Sequence, residues 1–306
     1  MEKFLRRFIL FLSGSSAARQ LAVRFPPTRR VARRFVAGET LEDALIVTRQ
    51  LRAEGFFVSL DLLGENVDGL GEAEAATEEV LRAVAALKSE GLVSNLSVKL
   101  TQLGLDESPE VARENLRRIA EASRDTGMTV RVDMEGSGYT ETTVNLVLDL
   151  HQEFDHIATV LQSYLYRTVD DVSRLNREGV AVRLCKGAYH EPPEVAFQEK
   201  SAVDEAYLRA AEELLSHGKY PAIATHDEKM IQGVLEIVRR LGLGKDAFEF
   251  QMLYGIRQER QKELLAEGWN VRLYVPYGES WYPYFMRRLA ERPANLWFLL
   301  TALLRG

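Results

Sequence analysis

Cysteine is almost absent from this 306-residue chain, in which Cys185 is the only one. An intramolecular disulfide is therefore excluded, and so is a cysteine cluster that would hold zinc or an iron–sulfur centre. No apolar run reaches the roughly 20 residues that a transmembrane helix needs. We therefore expect a cytoplasmic protein that binds no metal.

A Gly-x-Gly-x-x-Gly turn after a strand is also missing, which argues against a Rossmann domain. Gly242-x-Gly244 follows a predicted helix, as a helix cap would. No low-complexity linker divides the chain. Its length suits one barrel of roughly 250 residues with an extra terminal segment.

Acidic residues are scarce at the amino terminus. Residues 1–34 contain nine Lys or Arg and a single acid, Glu2, whereas the remainder holds 30 basic and 44 acidic residues. The net charge of the whole chain is −6, and we expect no nucleic-acid partner. A basic arm thus precedes an acidic body.

The first apolar residues of this arm fall at helical spacing, which indicates an amphipathic helix: Phe4, Leu5, Phe8, Ile9 and Leu12. Basic amphipathic helices bind anionic membranes or partner subunits, and the alternative is a helix packed on its own barrel. The charges before Phe8 also resemble a signal peptide. We assign residues 1–54 to this arm, which includes a helix at Leu41–Glu54 that begins with a Thr40/Asp43 capping box.

Eight short apolar runs follow the arm, and most gaps between them are long enough for one helix. The runs are Phe57–Leu63, Leu96–Leu100, Val130–Met134, Thr159–Gln162, Val180–Cys185, Ala222–His226, Phe248–Leu253 and Val271–Val275. This pattern predicts an α/β fold, a (β/α)8 TIM barrel over residues 55–306, with its active site at the carboxyl ends of the strands.

Nearly every run ends in a polar or ionisable side chain: Asp61, Lys99, Asp133, Gln162, Arg183, His226, Gln251 and Tyr274. Successive strand residues face opposite sides, and the apolar side must contact the outer helices. Because barrel interiors are mostly branched aliphatic, a charged interior indicates a polar site. The alternative is a set of internal salt bridges, such as Arg131 with Asp133 and Lys99.

A final helix is predicted at Ser280–Arg288, beyond the eighth strand. Tyr284, Arg287, Arg288 and Glu291 form one helical stripe. The two arginines could lie over the barrel mouth and clamp a carboxylate or phosphate. The alternative is a solvated surface helix with an Arg287–Glu291 pair.

Five motifs resemble those of flavin-dependent proline dehydrogenases, in the order of that family. They are Asp61-Leu-Leu-Gly-Glu65, Arg183-Leu-Cys-Lys-Gly-Ala-Tyr189, Ala224-Thr-His226, Phe248-Glu-Phe-Gln-Met-Leu253 and Tyr284-x-x-Arg287-Arg288-x-x-Glu291. The chain is similar to the stand-alone bacterial enzymes, which lack the fused aldehyde dehydrogenase. It departs at Asp227, where many relatives have Asn.

The resemblance implies a distorted (β/α)8 barrel that binds FAD at the strand ends, with extra N-terminal helices. It implies oxidation of L-proline to Δ1-pyrroline-5-carboxylate by hydride transfer to FAD, the first step of proline catabolism, with electrons passed to a quinone. A homo-oligomer is expected. Peripheral contact of the basic arm with the inner face of the cytoplasmic membrane is a further expectation.

The resemblance also assigns residue roles. The proline carboxylate is gripped by Lys99, Arg287 and Arg288, while the ring is packed by Tyr274 and Tyr284 and bounded by Leu253. Asp133 orients the site, and Arg183 lies beside flavin N5. FAD is contacted by Met134, Gln162, Arg183, Cys185, Lys186, Gly187, Thr225 and His226. Glu65 pairs with Arg287 as a gate.

Other readings of the residues stay open. Lys99 or Lys186 could form a Schiff base in a barrel aldolase or lyase. A non-catalytic, membrane-associated binding barrel is a third possibility. His151 and His156 lie outside the motifs and are expected on the surface.

Overall fold

Eight parallel strands close into a barrel in chain order, and the last strand pairs with the first. The computed structural model describes residues 26–64 and 67–291 of the chain. The strands are β1 (Phe57–Leu62), β2 (Asn95–Val98), β3 (Val130–Val132), β4 (Ile157–Gln162), β5 (Val182–Cys185), β6 (Ala222–Ala224), β7 (Glu249–Leu253) and β8 (Val271–Tyr277). The predicted (β/α)8 barrel is therefore confirmed.

Two helices precede the barrel, and one follows every strand. They are α1 (Pro26–Ala32), α2 (Leu41–Ala53), α3 (Leu70–Ser89), α4 (Pro109–Ser123), α5 (Thr140–His151), α6 (Thr168–Arg177), α7 (Lys200–His217), α8 (Glu228–Leu241), α9 (Gln258–Ala266) and α10 (Trp281–Glu291). A short 3-10 turn, Ser137–Tyr139, precedes α5. Within the described ranges, no helix has the length and apolar character needed to cross a membrane.

The start of α2 shows how local sequence sets an element boundary. The Asp43 backbone N–H donates to the Thr40 hydroxyl at 3.2 Å, and the Thr40 N–H donates to the Asp43 carboxylate at 3.4 Å. This reciprocal pair satisfies two N–H groups that the first helical turn leaves without partners. The predicted capping box is confirmed.

The apolar core lies between the strands and the outer helices. Val58, Leu60, Val130 and Val132 face outwards from their strands and are at most 1% exposed. They belong to one large apolar cluster with the inner faces of the helices. The alternate, polar residues of the same strands therefore face the barrel axis, as their parity predicts.

A second apolar cluster fixes α10 at the carboxyl end of the barrel. Phe285 of α10 packs on Phe35, with 6.2 Å between ring centroids. The same cluster includes Leu63 and Leu253, which lie at the carboxyl ends of β1 and β7. The Trp281 indole donates to the Glu39 carboxylate at 2.9 Å. The predicted helix over the barrel mouth is thus confirmed.

The two histidines expected on the surface are not simply solvated. His151 is 8% exposed and its Nδ1 lies 3.0 Å from the Ile157 carbonyl oxygen. The His156 side chain is 18% exposed, and its Nε2 lies 3.1 Å from the Ser123 hydroxyl. The surface prediction is wrong for His151, because α5 turns its last residue towards β4 rather than towards water. The predicted helix at Phe4–Leu12 lies outside the described residues.

Candidate active site

Arg183 lies inside the barrel and is held by three side chains. Its guanidinium donates to Asp133 Oδ1 at 2.8 Å, to Ser97 Oγ at 3.0 Å and to the Gln251 amide oxygen. Its side chain is 7% exposed. A cation this buried is costly unless it is paired and hydrogen-bonded, so these contacts hold the guanidinium in one orientation.

Asp133 collects donors from three other strands. Besides Arg183, it accepts the Tyr274 hydroxyl at 2.7 Å and lies 3.7 Å from the Lys99 ammonium. Lys99 also donates to Asp61 Oδ1 at 2.9 Å. The sequence-predicted residues Lys99, Asp133, Arg183 and Tyr274 therefore meet at the carboxyl end of the barrel.

Internal salt bridges are present, but not all of those considered from the sequence. Lys99 does pair with Asp133. Arg131 instead donates to the backbone oxygens of Thr159 at 3.0 Å and Ala181 at 3.4 Å, and it makes no ion pair with any residue of 26–64 or 67–291. The Arg131–Asp133 pair of the salt-bridge alternative does not form, because Arg131 lies one layer closer to the amino end of the barrel.

Burial shifts the pKa of two of these groups. It raises the pKa of Tyr274 well above its usual value, and the charges of Asp133 and Asp61 raise it further. Tyr274 therefore remains a hydroxyl donor to Asp133. Burial also raises the pKa of Asp61, although the adjacent Lys99 opposes that effect.

A chain of side chains continues from this cluster towards the amino end of the barrel. The Gln251 amide nitrogen donates to Glu249, and Glu249 accepts two bonds from Arg272 at 2.7 and 2.9 Å. We call the connected side chains the axial network: Arg272, Glu249, Gln251, Arg183, Asp133 and Tyr274. Burial alone would raise the pKa of Glu249, but the charge and hydrogen bonds of Arg272, the charge of Arg131 and the hydrogen bond from Gln251 together lower that pKa, so Glu249 is a carboxylate.

Several residues of the axial network, and two that contact it, had no role predicted from the sequence. Asp61 and Gln251 were placed inwards by parity but left unassigned, and Ser97, Glu249 and Arg272 were given no function. The signal that could have found them is the same alternation: Glu249 and Gln251 share the face of Leu253 on β7.

A second group of predicted residues lies after β4 and β5. The Gln162 amide donates to the Glu135 carbonyl oxygen at 2.9 Å and accepts the Ala188 N–H at 2.9 Å. Gly187 has a φ of +142°, and a Cβ there would lie 2.5 Å from the Tyr164 ring. Only glycine lets the backbone pass this close, so the loop forms a narrow ledge at the mouth.

Lys186 is held between two carboxylates. Its ammonium donates to Asp204 and to Asp227, the latter at 2.7 Å. Asp227 also caps α8 by accepting the Lys229 N–H at 3.0 Å. Asp227, the expected departure from the family pattern, therefore positions both a helix and a predicted cofactor ligand.

The hydrogen bonds to Asp204 lead us to expect a specific loss of stability at low pH. Burial opposes its ionisation, but hydrogen bonds from Lys186 and Lys200 outweigh that effect and lower its pKa from 3.8 to about 2. Its charge therefore stabilises the fold above the unfolded-state pKa, and this contribution is lost as the pH falls towards 2. We expect Asp204→Asn to remove about 2 kcal/mol of this pH dependence between pH 4 and pH 2, measured by urea unfolding.

The control for that measurement is Asp155→Asn, because the Asp155 side chain is 91% exposed. It should leave the wild-type slope unchanged. An Asp204→Asn slope equal to that of the wild type would show that the Lys186 contact contributes nothing.

His226 links the cofactor positions to the predicted substrate wall. Its Nε2 accepts the Leu253 backbone N–H at 2.9 Å. A neutral imidazole that accepts at Nε2 carries its proton on Nδ1. Thr225 lies beside it, and its backbone N–H donates to the Gln251 carbonyl oxygen at 3.2 Å. The segment Thr225–His226, which carries two predicted FAD contacts, is therefore hydrogen-bonded to Leu253, the predicted wall of the substrate pocket, and to its neighbour Gln251.

Met134 and Cys185 complete the predicted cofactor set. Met134 is 6% exposed and lies directly after Asp133, just beyond β3. The Cys185 Sγ lies 3.5 Å from the Leu161 carbonyl oxygen. Burial raises the pKa of Cys185 to about 12, so the residue is a neutral thiol and contributes packing.

The predicted stripe on α10, which includes Tyr284, Arg287 and Arg288, is only partly buried. Tyr284 is 6% exposed, and the Arg288 guanidinium carbon lies 5.1 Å from the centre of its ring. Arg287 and Arg288 are half-buried. The arginines therefore sit at the boundary between the second apolar cluster and the mouth, where a ligand could contact them. Glu65, the predicted partner of Arg287, lies outside the described residues.

A sequence model of the family described as proline dehydrogenase matches residues 44–300. The chain belongs to the proline dehydrogenase family. Proline dehydrogenase 2 of Bacillus subtilis (strain 168) is 41% identical over 293 residues, which are 96% of this chain and 96% of that protein. Proline dehydrogenase of Deinococcus radiodurans is 39% identical over 311 residues and covers 100% of both chains.

The solved structures of this family agree with the fold. Proline utilization A from Bdellovibrio bacteriovorus, inactivated by N-propargylglycine, superposes with a TM-score of 0.81 at 27% identity. The match covers 86% of this chain but 33% of that one, so this proline dehydrogenase family member spans about a third of the larger protein. The predicted similarity to stand-alone bacterial enzymes is confirmed, and the aldolase or lyase alternative is not favoured.

Proposed function

We propose that this chain is a flavin-dependent L-proline dehydrogenase that forms Δ1-pyrroline-5-carboxylate. The observation that carries the proposal is the cluster of Lys99, Asp133, Arg183 and Tyr274 at the carboxyl mouth of a barrel of this family. A quinone acceptor, a cytoplasmic location with peripheral membrane contact through the basic arm, and a homo-oligomer belong to the same proposal.

The cationic residues proposed for the mouth suit the carboxylate of an amino acid. Lys99 lies at the mouth directly after β2, and Arg287 and Arg288 of α10 would complete the set of cations there. Charge-assisted hydrogen bonds to a carboxylate are stronger than neutral ones, so amines without an acid group would bind poorly. Tyr274 and Tyr284 would pack against the ring, and Leu253 would bound it on the apolar side.

The residues after β4, β5 and β6 fit a flavin dinucleotide. The ledge at Gly187 lets a flat group approach the backbone, while Lys186, Thr225 and the His226 Nδ1–H offer donors for polar groups. Gln162 holds the ledge through Ala188. FAD bound there would supply the hydride acceptor.

Arg183 is the residue that tunes the proposed reaction. A cation beside a flavin ring stabilises the negative charge of the reduced form and raises its reduction potential. The contacts with Asp133, Ser97 and Gln251 keep that cation in place before substrate arrives. Glu65 and Arg287 would close over the site as an ion pair and exclude water during hydride transfer.

One assay tests the proposal. Purified protein should be yellow, release FAD on denaturation and reduce a dye or quinone when L-proline is added. Colourless protein with no releasable flavin would instead favour the lyase alternative. Flavin-containing protein that reduces no acceptor with proline would support a binding barrel.

The proposed carboxylate clamp, formed by Lys99, Arg287 and Arg288, leads to a separate prediction. Arg288→Gln should raise KM for L-proline about tenfold or more with a smaller effect on kcat, because it removes binding shared by substrate and transition state. Steady-state kinetics on flavin-saturated protein measures this. Arg177→Gln, on the solvent side of α6, is the matched control. An unchanged KM in Arg288→Gln would remove Arg288 from the clamp.

A further inference from the structure

A cavity opens at the amino-terminal end of the barrel, where the strands begin. Its volume is about 550 Å³. Its walls come from the starts of the strands and the loops before them, including Phe57, Asn95, Thr129, Ala181 and Glu249. The axial network separates this amino-terminal mouth from the carboxyl mouth, so the cavity is not part of the proposed proline site.

Arg131 lines this cavity with an incompletely satisfied guanidinium. The residue is 2% exposed, and its Nε has no hydrogen-bond partner among the described residues. Its Nη1 contacts only backbone oxygens. The other two arginines of the barrel interior, Arg183 and Arg272, are each bonded to a carboxylate. Arg131 is therefore a buried cation that makes no salt bridge with any residue in the described part of the chain, although the carboxylate of Glu249 acts on it from a greater distance.

The surroundings make the inner end of the cavity positive. Burial lowers the pKa of Arg131, and the charges of Arg183 and Arg272 lower it further, while Glu249 opposes them. Glu249 already accepts two bonds from Arg272 and one from Gln251. An added anion would compensate Arg131 without breaking an existing ion pair.

The rim carries both signs of charge, but its acids face water. Asp155 is 91% exposed at its side chain, and Asp125 is exposed as well. Lys219 is exposed, and Arg52 lies over the Phe57 ring at 5.3 Å. Exposed charges are screened by solvent and salt, whereas buried charges are screened much less. The interior charges therefore contribute most to the field that a ligand would meet, and among them Arg131 and Arg272 outnumber the single carboxylate of Glu249, which is already paired with Arg272.

We propose that the amino-terminal mouth binds a small phosphate dianion, with Arg131 as its inner ligand and Lys219 and Arg52 at the entrance. A guanidinium presents its N–H groups in a fork that matches two oxygens of a phosphate. The Asn95 side chain lines the same wall, is 5% exposed and makes no hydrogen bond within the described ranges, so its amide can donate to a third oxygen. The cavity leaves room for a small organic group on the phosphate.

Calorimetric titration of flavin-loaded protein with inorganic phosphate tests this proposal. We expect saturable binding of one phosphate per chain, weakened at least tenfold by Arg131→Gln. Lys219→Gln, a change on an exposed side chain that does not threaten folding, should weaken binding about two- to fivefold. Tighter binding of glycerol phosphate than of phosphate would identify a monoester as the ligand, and equal affinity would identify the free ion.

Two control variants separate this site from other basic surfaces. Arg288 lies at the carboxyl mouth, and Lys88 lies on the outside of α3. The Arg288→Gln and Lys88→Gln variants should both bind phosphate with the affinity of the wild type. If Arg288→Gln abolishes binding while Arg131→Gln and Lys219→Gln keep it, phosphate occupies the carboxyl mouth and the proposal is wrong. Absence of saturable binding at millimolar phosphate would also overturn it.

Discussion

Arg183→Gln is expected to lower kcat for L-proline oxidation by about 10²–10³-fold, with a much smaller change in KM. The guanidinium is fixed by Asp133, Ser97 and Gln251 before substrate binds, so its charge is available without reorganisation. The substituted amide keeps a hydrogen-bond donor but loses that charge. Rapid mixing of flavin-loaded protein with proline, followed by flavin absorbance, measures the step directly.

Arg183→Lys is the matched variant, because it keeps the charge and loses the planar fork. It should recover part of the rate and keep the flavin reduction potential closer to that of the wild type than Arg183→Gln does. Equal potentials in all three proteins would show that Arg183 does not act through the flavin. A raised KM with unchanged kcat would place Arg183 in substrate binding instead.

Asp133→Asn is expected to reduce the free energy of unfolding by about 3–5 kcal/mol. The carboxylate compensates Arg183 directly and Lys99 at 3.7 Å, and it accepts the Tyr274 hydroxyl. A neutral amide would leave both buried cations with less counter-charge. Urea unfolding of the variant and wild type at neutral pH measures the difference.

Asp61→Asn is the control for this loss, since it lies in the same cluster and contacts Lys99. It should cost less, because Lys99 keeps Asp133 and because burial raises the pKa of Asp61, which reduces the net benefit of its charge. If Asp61→Asn reduced the free energy of unfolding as much as Asp133→Asn does, the two carboxylates would contribute equally to the cluster, and Asp133 would not be its main counter-charge.

The strands and their inward faces were predictable because alternation within a strand is a local property. Val130 and Val132 face outwards, so Arg131 must face the axis. The strand ends were less predictable: β3 stops at Val132, and Asp133 and Met134 follow it. A strand ends where pairing ends, and pairing depends on neighbours that are distant in sequence.

The choice of partners inside the barrel could not be predicted from parity. Arg131 and Asp133 share a face, but residues two apart along a strand are separated by about 6.5 Å. Asp133 therefore pairs with Arg183 across the barrel, while Arg131 lies in the layer below. Which residues share a layer depends on the stagger of the strands, which no short stretch of sequence encodes.

The axial network also has a consequence for how this fold can change by mutation. In most barrels of this type, residues at the carboxyl face determine chemistry and those at the opposite face determine stability. Here Arg272, near the start of β8, is joined through Glu249 and Gln251 to the guanidinium of Arg183. Selection for a faster turnover would therefore favour substitutions at both ends of the barrel. Stability and activity could not evolve independently.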